Sequence, residues 1–186
     1  RTPGVGERDA RIVGSAVQRR ADAAAWADDS GETQGTADDM PMISDSDSTI
    51  SKADGMRPAN IAGDPTSHTP AEMAALRNVF VIGPDKTIKL VLVYPMTTGR
   101  NFDEVLRVLD SLQLTAAHKV ATPAQWNRGG DVIIAGSVSD EEAKKIYPDG
   151  WTAPRPYLRI VADPTPGGGS PVAYPPPPLP TIIHVA

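Results

Sequence analysis

Two runs decide the fold, Asn78-Val-Phe-Val-Ile82 and Thr87-Ile-Lys-Leu-Val-Leu-Val-Tyr94, joined by Gly83-Pro-Asp-Lys86. Both are rich in the β-branched and aromatic residues that suit a pleated surface, and a Pro-Asp pair in a four-residue connection favours a type I turn. They predict a β-hairpin. The first arm is almost wholly apolar, whereas the second alternates less cleanly around Lys89, so the first reads as the more buried strand. Beyond it, Asn101 is placed to cap a helix and Glu104 to reach back from the third helical position. Phe102, Val105, Leu106, Leu109 and Leu112 then form one apolar stripe that ends near Leu114-Thr115. Further on, 131–135 reads as a short strand and Ser139-Asp-Glu-Glu142 as a capping box opening a helix to about Ile146. Pro148-Asp-Gly150 stops that helix, and 157–161 reads as a last strand.

Outside this centre the chain changes character. Residues 1–25 carry Arg1, Arg8, Arg11, Arg19 and Arg20 with no sustained hydrophobic period, and read as an unstructured N-terminal segment. Glu7, Asp9 and Asp22 argue against a transit peptide. Eight prolines fall between residues 163 and 180, a density that no helix or central strand tolerates, so 163–186 reads as an extended Pro-rich tail. Tyr174-Pro-Pro-Pro-Pro-Leu-Pro180 has the form of a ligand for an aromatic groove, although most such segments are plain linkers.

Composition narrows the function. The 186 residues are 40% hydrophobic, with 16 Gly and 19 Pro, which suits one domain with loose ends. A formal net charge of -5 offers nothing to a nucleic acid or an anionic membrane. No run approaches the roughly 18 apolar residues of a membrane span, and with no apolar leader the expected location is cytoplasmic. The chain has no cysteine, so disulfides, thiolate metal sites and thiol nucleophiles are excluded within it. His68, His118 and His184 stand in no metal-ligand spacing, and Gly167-Gly-Gly169 serves no phosphate-cradling turn. Neither a metal nor a cofactor is called for. Trp126 and Trp151 read as anchors of a C-terminal unit rather than as ligand platforms.

Several segments together resemble the 1-Cys peroxiredoxin family. They are Arg77-Asn-Val-Phe-Val-Ile-Gly-Pro-Asp85, Tyr94-Pro-Met-Thr-Thr-Gly-Arg-Asn-Phe-Asp-Glu-Val-Leu-Arg107, Ser111-Leu-Gln-Leu-Thr115, Val120-Ala-Thr-Pro123 and Ser139-Asp-Glu-Glu-Ala-Lys-Lys145. The likeness runs from about Trp26, through Glu32-Thr-Gln-Gly35 and Pro41-Met-Ile43, to about Val161. It implies an α/β fold: a partial thioredoxin-like domain over 26–115, with hairpin and C-terminal helix, followed by a small α+β peroxiredoxin arm over 116–162 and flanked by disordered tails. It also implies an antioxidant thiol peroxidase, homodimeric through the arm, that takes hydroperoxide substrates and a thiol reductant.

By resemblance Arg77 matches the family's active-site arginine and Arg100 a second one close behind it. A peroxidatic thiolate needs nearby positive charge, and a permanently charged planar guanidinium supplies it. Read from the residues alone, Arg77 is a strand-end cation and Arg100 a partner for surface acids. Asp85 matches the acid of a lipase-like activity credited to some family members, yet reads more simply as a turn residue. The main departure is the nucleophile, since the family's Pro-x-x-x-Thr-x-x-Cys segment has no counterpart here. Asp54 and Arg57, flanking Gly55-Met56, stand where more apolar side chains are expected. The chain therefore reads as a truncated or inactive copy of a peroxidase, or as a non-catalytic dimerisation or interaction module. With the first strands absent, the apolar faces of 79–82 and of the 102–112 helix are expected to lack their usual cover.

Overall fold

A computed structural model of the chain describes residues 2–16, 40–56, 76–165 and 181–185. Trp26, the 32–35 segment, Arg57, His68, the 167–169 glycines and the polyproline run lie outside these residues. Two compact units divide the chain, one formed by Arg1–Arg100 with Pro177–Ala186 and the other by Asn101–Pro176. The division falls ahead of the long helix.

The first unit holds a short helix α1 (Thr2–Gly6), strands β1 (Ala10–Ala16) and β2 (Met42–Ser44), helix α2 (Thr49–Ala53) and the hairpin strands β3 (Arg77–Ile82) and β4 (Ile88–Tyr94). Its fifth strand comes from the far end of the chain, Thr181–Val185, designated β9 to keep chain order. The sheet runs β2-β1-β9-β3-β4. β1 is parallel to β2 and to β9, while β3 is antiparallel to β9 and to β4.

The hairpin forms as the sequence predicts. Lys86 donates its backbone N–H to Gly83 O at 2.9 Å, closing the turn, and Lys86 itself takes a left-handed φ of 61°. Val79, Phe80 and Val81 are buried, so β3 is the inner arm. Burial of each such side chain contributes about 1.5–3 kcal/mol. In β4, Leu90 and Leu92 are half-buried, but Ile88 is 56% exposed because the pairing register shifts between Val81 and Ile82.

Two strands correct the reading of the chain ends. Residues 10–16, read as unstructured, form β1. Its buried positions are Ala10, Gly14 and Ser15, small residues that leave no apolar alternation to read. A Cβ at Gly14 would meet the thioether ends of Met40 and Met42, flexible side chains that can move aside. Residues 181–185, grouped with the Pro-rich tail, form a strand inside the sheet, and proline density upstream hid their β-branched run. One edge of β3 is therefore covered rather than open.

The second unit contains helix α3 (Phe102–Ala117), strands β5 (Val120–Ala121) and β6 (Val132–Ile134), helix α4 (Asp140–Ile146), and strands β7 (Thr152–Arg155) and β8 (Leu158–Val161). Its antiparallel sheet has the order β5-β6-β8-β7. Asn101 Oδ1 accepts from Asp103 N at 3.1 Å and Glu104 N at 3.2 Å, and Ser139 Oγ accepts from Glu142 N at 3.2 Å. Glu104 takes Arg107 instead of returning to Asn101, with contacts of 2.6 and 2.7 Å that hold its carboxyl below the usual range. Val105, Leu109 and Leu114 are the buried part of the stripe, while Phe102 is exposed. Leu114, Val120, Trp126, Val132, Ile134, Val138, Ala143 and Val161 make one core, against which Trp151 packs. Trp126 donates its indole N–H to Gly130 O at 3.0 Å, and the Arg159 guanidinium lies 5.9 Å from the Trp151 ring centroid.

Candidate functional site

Arg77 opens β3 opposite Tyr94, the last residue of β4, so the hairpin register fixes both at one end of the sheet. A turn after β4, closed by Thr98 N–H donating to Pro95 O at 2.9 Å, returns the chain to Arg100. Arg77 donates from Nε to Met96 O at 2.9 Å, which orients its guanidinium over that turn. Arg100 is half-buried, and its Nε is buried without a hydrogen-bond partner. Burial first and the charge of Arg77 second push the Arg100 guanidinium below its ordinary value, with Tyr94 opposing. It remains a cation, because arginine does not deprotonate in proteins.

The two arginines singled out by sequence feel one another's charge. A half-buried cation with an unmet N–H is chemically suited to an anion. No salt bridge joins Arg100 to an acid among the described residues, and Arg77 and Tyr94 are the charged or titratable groups that act on it. Tyr94 and the Met96 carbonyl were not foreseen as parts of the site. Opposite placement of 77 and 94 across a hairpin was their available signal.

Asp85 behaves as a turn residue. It accepts from Thr87 N at 3.1 Å, Thr87 Oγ1 at 2.8 Å and Lys89 Nζ at 2.6 Å, and Lys89 and Thr87 lower its pKa to about 2. His118 is the C-cap residue of α3 and His184 lies in β9. Among the described residues no group of three potential ligands stands together, and no helix is long and apolar enough to cross a membrane.

A mixed sheet with a hairpin leading to an arginine-bearing turn, together with a small second sheet unit, is a thioredoxin-like α/β arrangement. Sequence comparison agrees. The profile of the C-terminal domain of 1-Cys peroxiredoxin matches residues 111–150. Peroxiredoxin-6 of Rattus norvegicus is 38% identical over 172 residues, covering 87% of this chain and 74% of its own. A 1-Cys peroxiredoxin relative from Syntrichia ruralis is 50% identical over 111 residues, 60% of this chain, and the chain spans about half of it, 49%. The solved yeast mitochondrial 1-Cys peroxiredoxin superposes with a TM-score of 0.78 at 34% identity, covering 86% of this chain and 74% of the other. The chain belongs to the 1-Cys peroxiredoxin family.

Proposed function

We propose that this chain carries the arginine half of a peroxiredoxin site, and that the antioxidant activity belongs to a form in which a peroxidatic cysteine stands beside it. The observation that supports the reading is the buried, unpaired Nε of Arg100, a cation that also feels the charge of Arg77. In such a site the thiolate attacks one peroxide oxygen, forming an S–O bond as the O–O bond breaks. Hydroxide or alkoxide leaves and the sulfur becomes a sulfenic acid. One thiol condenses with the sulfenic acid to a mixed disulfide with loss of water, and a second thiol releases the sulfur as thiol while the reductant leaves as its disulfide. The thiol-resolving mechanism of the yeast relative runs via glutathione and thioredoxin systems. Arg77 and Arg100 act twice in this scheme: they hold the sulfur as thiolate, and they meet the negative charge that grows on the departing oxygen. The 186 residues contain no cysteine, so the chain by itself is an inactive copy.

A second reading treats the chain as a non-catalytic dimerisation module. β4 is an outer strand of its sheet and exposes Ile88, Val91 and Val93, which suits pairing with a second copy. In this reading residues 26–115 form the thioredoxin-like part and 116–162 the arm that contacts the partner, in a cytoplasmic homodimer. Nothing in the reading calls for a nucleic acid or membrane partner.

The test of the first reading places the family's cysteine-bearing segment ahead of Arg1. Peroxide turnover should then appear, and Arg77→Met or Arg100→Met should cut it by about 10²- to 10³-fold while raising the thiol pKa. Near-normal turnover and an unshifted thiol pKa in both variants would remove the assignment.

A further inference from the structure

β9 is an unusual strand. It is paired along both edges: its five residues Thr181 to Val185 lie beside Ala10 to Gly14 of β1 in parallel, and four of them, Ile182 to Val185, run antiparallel to Ile82 to Val79 of β3. Without it, β1 and β3 would face each other as two open edges with every inward N–H and C=O unmet. Its side-chain anchors are few. Ile183 is fully buried, and the His184 ring stacks on Phe80 with centroids 5.8 Å apart, its Nδ1 3.6 Å from the Asp54 carboxylate. Residues 166–180 precede it in the chain and include Pro166, Pro171, Pro175 to Pro178 and Pro180 together with three glycines. A short strand held on both sides by backbone pairing and by the buried Ile183 and His184 side chains makes the contacts of a bound peptide.

We propose that the gap between β1 and β3 is a strand-binding site for an extended, β-branched peptide of about five residues, and that 181–185 fills it as a tethered, exchangeable ligand. Main-chain bonds on both edges supply the binding, and the burial of Ile183 supplies the selectivity. The tether holds its own strand at a high effective concentration, so a free peptide competes poorly until the tether is cut.

The experiment introduces a specific protease sequence at 167–170 of the full chain and cuts the folded protein. A fluorescent peptide of residues 179–186 should bind the cut chain with half-saturation at least about 10²-fold below that for the uncut chain. The same peptide carrying Ile183→Asp should not bind. Equal binding before and after cutting, equal binding of the Ile183→Asp peptide, or a cut strand that never exchanges would each overturn the proposal. A dimer that falls to monomer on cutting would place the strand in a second copy and overturn the assignment within one chain. As an independent readout, Ile183→Asp in the uncut chain should strip amide-exchange protection from β1 and β3 while α3, β6 and β8 keep theirs. Unchanged protection of β1 and β3 would count against the site.

Discussion

Arg100 shows what a single residue's surroundings decide. Only the Thr98-Gly-Arg-Asn101 motif singles it out as a candidate, because spacing alone favours a solvated cation. Burial of Nε and the proximity of Arg77 are products of the hairpin register, and no local signal encodes them. Asp85 is the opposite case, legible from its neighbours, since a Pro-Asp turn followed by Thr and Lys supplies its partners within four residues. Its pKa is lowered from 3.8 to about 2, so its interactions are complete above pH 3.8 and are lost as pH falls through 2. A carboxyl titration by NMR should find that low midpoint, and Lys89→Ala should move it back toward 3.8. A midpoint already near 3.8 in the unaltered chain would contradict the turn geometry.

At the level of elements, legibility followed the strength of the local signal. α3 and α4 were readable because Asn101 and Ser139 are cap residues ahead of helical patterns, and both caps form. Asn101→Ala and Ser139→Ala should each destabilise the second unit by about 0.5–2 kcal/mol in urea unfolding. A loss below about 0.2 kcal/mol in both would show the caps to be ornamental. Leu114, 1% exposed within the core that holds Trp126, should cost about 2–5 kcal/mol as Leu114→Ala, followed by tryptophan fluorescence. β1, β7 and β9 were not legible. β1 buries only small residues, β7 contains Pro154 and exposes all four of its residues, and β9 follows a proline run. In each, pairing supplies what the sequence does not advertise, with distant strands for β1 and β9 and with the adjacent β8 for β7.

For the whole molecule, the decisive facts are membership of the 1-Cys peroxiredoxin family and the absence of cysteine from 186 residues. The dimer reading belongs at this scale. Light scattering should give twice the 19.6 kDa chain mass, falling to one chain mass when 118–162 are replaced by a short linker that leaves β9 attached. A monodisperse monomer in both samples would dismiss the arm contact. The central claim, that the arginines are here and the nucleophile is not, is tested most directly by hydroperoxide consumption with the purified, metal-free 186-residue chain and a thiol reductant, beside the same chain with a cysteine-bearing segment ahead of it. The account predicts a rate equal to a heat-killed control for the first and Arg77-dependent turnover for the second. Turnover above that control by the cysteine-free chain would contradict it.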